Sequence, residues 1–245
     1  MHRLWRPPLA GGIHVCGCGH SGTSILTRLI GAHSQIHAIP GETGVAKKER
    51  FSRYRQATTA FWRACREHNA QTWVEKTPKH VRHLGFILDS APSSRIVLIC
   101  RDPRDTVASL KRRYGRLGKA LGRWQRDNGL VNHWRHHPRV WLLRYEDLVG
   151  DPRASLETLM TFLDLAFEPS QLNYHQQQEN WYDRSAATTD QPAAEALSHK
   201  AHRNQQINQP LFNHTGTYQR DLSQAELNRI RRRCGRLART LGYSL

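Results

Sequence analysis

Two hydrophobic rhythms alternate along the chain. Short apolar runs occur at 12–16, 72–75, 95–100 and 139–144, and Arg95-Ile-Val-Leu-Ile-Cys100 is the clearest. A continuous run of this length reads as a parallel strand buried on both faces. Between the runs, apolar residues recur at three- and four-residue steps, the spacing of a helix face. This holds for 22–32 (Ile25, Leu26, Leu29, Ile30), for 49–67 (Phe51, Tyr54, Phe61, Trp62, Cys65) and for 117–135. Proline marks three more helix starts, at Pro78 for 78–87, at Pro103 for 103–113 with Asp102 as N-cap, and at Pro152 for 152–163. Residues 36–39 read as a short extended piece, and 165–200, rich in Gln, Asn, Ala and Thr, as loop. A last helix carries Leu227, Ile230, Cys234, Leu237 and Leu241 on one face.

Alternating strands and helices predict an α/β fold with a parallel β-sheet flanked by helices, a three-layer sandwich. At 245 residues, one domain over 1–245 accounts for the whole pattern. Ligands of such sheets sit at the carboxyl ends of the strands. Four polar clusters fall there: residues 17–24 after the first run, Lys76 after the second, Arg101 after the third and Tyr145-Glu146-Asp147 after the fourth.

Composition narrows the field. Hydrophobic residues make up 38% of the chain, a globular proportion. No apolar run approaches the roughly 18–20 residues that span a bilayer. The basic N-terminus, Met1-His2-Arg3-Leu4-Trp5-Arg6, runs into Gly11 and Gly12 without a long apolar stretch, so no signal peptide is expected. Five cysteines, an odd number without paired spacing, point to buried thiols and a reducing, cytoplasmic setting rather than a disulfide framework or a metal site. Thirty-seven Lys and Arg against twenty Asp and Glu give a net charge of +17. The basic residues are spread along helices and carry no zinc-finger or RNA-binding signature, so no specific nucleic-acid partner is expected.

The first cluster carries the most chemistry. Cys16-Gly-Cys-Gly-His-Ser-Gly-Thr-Ser24 follows a strand and opens a helix, an order that aims backbone N–H groups and the helix dipole at an anion. Gly17 to Gly22 has the G-x-x-x-x-G spacing of a P-loop. The slot of the triphosphate-binding lysine, however, holds Thr23, while Ser24 keeps the hydroxyl slot. Such a loop suits a 5′-phosphate better than a nucleoside triphosphate. Arg101, at a strand end, and Ser109, eight residues on, can converge on a second phosphate. The plain alternative is surface pairing of Arg101 with Asp102 or Arg104 with Asp105.

Together these segments resemble sulfotransferases that use 3′-phosphoadenosine 5′-phosphosulfate (PAPS). Gly17-Cys-Gly-His-Ser-Gly-Thr-Ser-Ile-Leu26 is similar to their 5′-phosphosulfate loop, and Arg95-to-Leu110 to their 3′-phosphate element. Trp73-Val-Glu-Lys-Thr-Pro78, Arg144-Tyr-Glu-Asp-Leu-Val149 and Gly216-Thr-Tyr-Gln-Arg-Asp-Leu222 resemble further blocks in order, over 12–240. The resemblance implies a P-loop-NTPase-like fold and sulfuryl transfer from PAPS to an acceptor hydroxyl without a metal. It implies nucleotide contacts from Gly19, His20, Ser21, Gly22, Thr23, Ser24, Arg101, Ser109, Tyr145, Arg203, Thr217 and Tyr218. Lys200 and His202 precede the late block. Tyr218 stands where relatives often have Trp, and His20 where many have Lys or Arg. Either His20 works protonated beside the donor, which would make the rate fall at high pH, or Lys76 and Thr23 carry the charge stabilisation.

Pro40-Gly-Glu-Thr43 resembles the Gly-Glu-Thr segment of tyrosylprotein sulfotransferases, which implies Glu42 as the base. Burial is expected to raise its pKa toward neutrality. The plain alternative has Glu42 capping a helix near residue 46 or pairing with Lys47, and His14 and His37 are alternative bases. Lys76 is expected to meet charge developing on the transferred group, with Glu75 orienting it. Residues 165–215 are the expected mobile, acceptor-facing lid. The acceptor, a glycan or tyrosyl hydroxyl, suits the basic surface best if it is acidic. Two other classes compete: a P-loop kinase-like phosphotransferase and a non-enzymatic polyanion-binding protein.

Overall fold

The apolar runs become the strands of one sheet: β1 (Ile13–Gly17), β2 (Ile36–Ala38), β3 (Thr72–Lys76), β4 (Arg95–Cys100) and β5 (Val140–Arg144). Their order is β2-β3-β1-β4-β5, and every pairing is parallel. The computed structural model describes residues 10–182 and 199–245. The short extended piece is thus a paired edge strand, in register with Thr72–Val74 of β3.

Helices α1 (Thr23–Gly31), α2 (Phe51–Glu67), α3 (Leu84–Ser90), α4 (Pro103–Tyr114), α5 (Leu117–Trp134), α6 (Tyr145–Gly150), α7 (Pro152–Phe162), α8 (His199–Ile207) and α9 (Gln224–Thr240) complete the order. Asp102 caps α4, its side chain accepting from the Arg104 N–H, and Pro103 opens the helix as expected. The segment expected as one helix over 78–87 is split. Pro78–His83 is a 3₁₀ helix and α3 starts only at Leu84. The tighter turn brings His80 back against β3, where it bonds Glu75.

Side chains alternate across the sheet, so its two faces pack against separate cores. On one face Cys16, Ile96, Leu98 and Cys100 pack with Val107, Leu121, Trp124, Ile230 and Cys234 of α4, α5 and α9. On the other, Val15, Val74, Val97 and Ile99 pack with Leu26, Leu29 and Ile30 of α1 and Leu156, Leu159 and Met160 of α7. Each such aliphatic side chain contributes about 1.5–3 kcal/mol on burial, and the sheet is the rigid base of the rim described next. All five cysteines are buried and free.

The loop-like stretch after α7 is partly built into the fold. Pro169–Gln176 forms 3₁₀ turns with Gln171 and Tyr174 buried. Arg28 of α1 donates to the Tyr174 carbonyl at 2.8 Å and to that of Ile207 at 3.3 Å, tying this segment to α8. Of the expected lid, 183–198 and the side chains of Lys200 and His202 lie outside the described residues. Among the described residues no helix is long and apolar enough to cross a membrane.

Candidate active site

All five strands end on one rim, and the topology reverses between β1 and β4, because the chain fills β2 and β3 on one side before crossing to β4 and β5 on the other. Ligands of open α/β sheets bind at such a point. The expected phosphate loop and Arg101 flank it.

The loop's shape follows from its glycines. Gly17 has φ +144°, and a Cβ there would lie 2.3 Å from the Ile99 carbonyl oxygen. Gly22 is the left-handed N-cap of α1 at φ +92°, where a Cβ would meet the Tyr145 ring at 2.7 Å. His20 also takes a positive φ of 71°, and its Nδ1 hydrogen-bonds Ser109 Oγ at 2.8 Å. Ser21 is fully buried, and its hydroxyl has no hydrogen-bond partner among the described residues. Thr23 is buried at the start of α1. Ser24 reaches outward to the Tyr182 hydroxyl at 2.9 Å. Behind Gly19 stands Arg123 of α5, its guanidinium 3.6 Å from the position a Cβ would take. Nothing in the spacing of Arg123 marked it beforehand.

Arg101, at the end of β4, lies over the Tyr145 ring at 4.5 Å. It donates to the His214 carbonyl at 2.5 Å and stands 3.7 Å from Asp105. Its Nε is buried without a partner among the described residues. Asp105 organises the next element of the rim, accepting from the Gly216 and Tyr218 N–H groups at 2.9 and 3.0 Å and from the Thr217 hydroxyl at 3.2 Å. The Tyr218 ring stacks with Arg104 at 4.9 Å, and Arg104 is held by Asp102. Thr217 and Tyr218 stand beside Arg101 through Asp105, a residue that sequence reading offered only as a surface partner of Arg104. Arg101 and Ser109 bond different partners, His214 and His20, so Ser109 joins the two loops. Tyr145 spends its hydroxyl on the Phe212 carbonyl at 3.2 Å and serves as the floor beneath Arg101 and Gly22.

Lys76 is fully buried at the end of β3. Its ammonium donates to Glu42 Oε1 at 3.3 Å and to the Tyr182 hydroxyl at 2.7 Å. Arg203 of α8 donates to the same Glu42 oxygen at 2.7 Å and stacks on Tyr182 at 3.8 Å. Glu42 thus pairs with neither Lys47 nor a helix end. Its expected near-neutral pKa is also revised: burial pushes the carboxyl up, but the Lys76 and Arg203 cations and their hydrogen bonds bring it down to about 2. Tyr182 was missed altogether. Asn204 of α8 fixes it by accepting from the Trp181 and Tyr182 N–H groups at 3.0 Å each. Only a Trp-Tyr pair in a polar tract hinted at it.

Glu75 does not orient Lys76. Neighbours in a strand point to opposite faces, and Glu75 turns to fully buried His14 and His80, accepting from each Nδ1 at 2.7 Å. Burial pushes the Glu75 carboxyl up, and His80 and His14 outweigh that, holding it well below the usual range. His14 is a structural residue here, its pKa lowered by burial, and His37 stacks on His68 at 4.2 Å. Glu75, His14 and His80 lie within metal-ligand distance of one another. However, His80 Nε2 accepts from the Ala46 N–H, so Nδ1 carries the proton and faces Glu75 as a donor.

Cations crowd the outer rim. Burial lowers the Lys79 pKa, and the neighbouring Arg123, Lys47 and Arg82 lower it further. That concentration of charge favours an anion.

Residues 40–169, more than half of the chain, match the model of the sulfotransferase family. No curated protein sequence matches the chain. Among solved structures, it is similar to the sulfotransferase domain from the curacin biosynthetic pathway at 17% identity and a TM-score of 0.61, covering 98% of this chain and 100% of that one. The sulfotransferase domain of a Synechococcus olefin synthase gives 16% and 0.62, with 98% of both chains covered. A mouse sulfotransferase in complex with PAP gives 13% and 0.62, with 94% of this chain and 84% of that one covered. The parallel sheet is the fold these structures share, the family match falls on the strands that carry Lys76 and Arg101, and the chain belongs to the sulfotransferase family of enzymes.

Proposed function

We propose that the enzyme transfers a sulfuryl group from PAPS to an acceptor hydroxyl and releases 3′,5′-ADP. The observation that carries this reading is the pairing, across the β1–β4 switch point, of a lysine-free phosphate loop with a buried arginine whose Nε has no partner among the described residues. A loop without the Walker lysine leaves a triphosphate short of its β/γ contact, whereas a nucleotide with separate 5′- and 3′-phosphates uses both halves. Solved relatives crystallised with PAP support the same donor.

In this reading the loop N–H groups from Gly19 to Ser24 hold the 5′ end, with His20 and Arg123 adding donors. Arg101 and Ser109 hold the 3′-phosphate, and Thr217 and Tyr218 close beside it. Arg203 and Tyr182 frame the place where transfer occurs. Glu42 takes the proton of the acceptor hydroxyl as its oxygen bonds to sulfur. The electron pair of the broken S–O bond stays on the 5′-phosphate, where Lys76 meets the charge. Donor binding strengthens the base, because a lysine drawn onto anionic oxygens no longer lowers the Glu42 pKa. No residue in this scheme calls for a metal.

The cations Lys47 and Lys79 favour an acidic acceptor, a glycan or a tyrosyl peptide, while Arg82 and Arg123 share the buried Asp127 carboxylate. We read the chain as one domain, since a single sheet serves every element described, and five free thiols suit a reducing, cytoplasmic setting. Thermal unfolding with 3′,5′-ADP or ATP, each with magnesium or EDTA, tests the donor assignment. Stabilisation by 3′,5′-ADP that ignores EDTA is expected. A response to ATP and magnesium alone returns the chain to the kinase-like alternative.

A further inference from the structure

Three consecutive backbone amides beside Glu42 end, through one relay each, on the same buried carboxylate. The Gly44 N–H donates to Thr77 Oγ1 at 3.0 Å, and that hydroxyl donates to Glu75 Oε2 at 3.1 Å. The Val45 N–H reaches Thr43 Oγ1 at 3.5 Å, and that hydroxyl donates to Glu75 Oε2 at 2.7 Å. The Ala46 N–H donates to His80 Nε2 at 3.2 Å, and His80 Nδ1 donates to Glu75 Oε1 at 2.7 Å. A fourth donor, His14 Nδ1, completes the set, with the Tyr54 hydroxyl 3.0 Å from its Nε2. An ionised carboxylate has about four acceptor positions, and Glu75 uses all four.

We propose that Glu75 is a positioning residue of the active site, fixing the 43–46 loop so that Glu42 meets Lys76 at the rim. The assignment deepens the reading of Glu42 as base and rests on it. Its logic is the alternation of β3. Lys76 points into the site and Glu75 points away, so one strand sets the cation directly and the carboxylate by way of the loop. Every hydrogen bond in the relay runs toward Glu75, so the neutral tautomers of His80 and His14 are fixed by the same charge. Replacing the anion with an amide reverses one or more of these directions. A buried network that is only partly satisfied costs more than an apolar substitute.

The test uses Thr43→Val, which cuts one relay at a half-buried position and leaves Glu75, His14 and His80 in place. The ¹³C NMR titration of the Glu42 carboxyl in the whole protein is read. In the wild type it falls near the value of about 2 that Lys76 and Arg203 impose. In Thr43→Val the loop loosens, and the titration moves up toward the ordinary 4.5, while Thr43→Ser restores the wild-type curve. Retained stabilisation by 3′,5′-ADP shows that the variant is folded. The same curve in wild type and Thr43→Val overturns the assignment, as does a wild-type Glu42 already titrating at 4.5. The base reading fails separately, if Glu42→Gln keeps full turnover of PAPS.

Discussion

At Glu42 two cations, Lys76 and Arg203, bond one carboxylate oxygen and outweigh the burial that alone would raise its pKa. The sign of the pH response follows. A carboxyl whose folded pKa is depressed to about 2 adds stability above its unfolded value of 4.5, and loses that contribution as pH falls from 4.5 through 2. The acid limb of kcat/KM, which reports the free enzyme, is therefore expected below pH 4.5. Arg203→Ala removes one cation and one hydrogen bond, so the limb moves to higher pH. A pH–rate profile of the two proteins checks this, and a limb that stays in place removes Arg203 from the control of Glu42.

At the scale of elements, the loop between β1 and α1 is specified by its glycines. At Gly22 an alanine must adopt a left-handed backbone, costing roughly 1–2 kcal/mol, and must also displace the Tyr145 ring, an overpacking cost of roughly 1–3 kcal/mol. At Gly115, the left-handed C-cap of α4, a Cβ meets nothing within 4 Å, and only the backbone cost applies. Gly22→Ala is thus expected to lose more stability than Gly115→Ala in urea unfolding, and to lose 3′,5′-ADP binding that Gly115→Ala keeps. Equal losses contradict the role given to Tyr145 as floor of the loop. Most elements were legible because apolar runs and Pro or Asp starts are local signals. The edge strand β2 was legible only as an extended piece, since its three residues depend on β3 for hydrogen bonds. The 3₁₀ turn at Pro78–His83 was not legible, because the bond from His80 to Glu75 decides it. The opposite facing of Glu75 and Lys76 was open to reading, since the period of a strand requires it.

At the scale of the molecule, the sheet brings distant segments to one rim, and its order explains which site residues the sequence could reveal. Residues at or just past strand ends (Gly19 to Ser24, Lys76, Arg101) stood out in the sequence by position and motif. Tyr182, Asp105 and Arg123 arrive from a loop and two helices, and only the folded chain joins them to the rim. The central claim is a nucleotide site divided between two phosphates, one on the β1 loop and one at Arg101. Titration calorimetry of 3′,5′-ADP and of 5′-AMP, in EDTA, against the wild type and Arg101→Ala measures that division. The wild type is expected to bind 3′,5′-ADP at least tenfold more tightly, about 1.4 kcal/mol. Arg101→Ala is expected to bind both nucleotides alike, at the wild-type affinity for 5′-AMP. Equal affinity of the wild type for the two nucleotides, or a preference that survives in Arg101→Ala, contradicts the account.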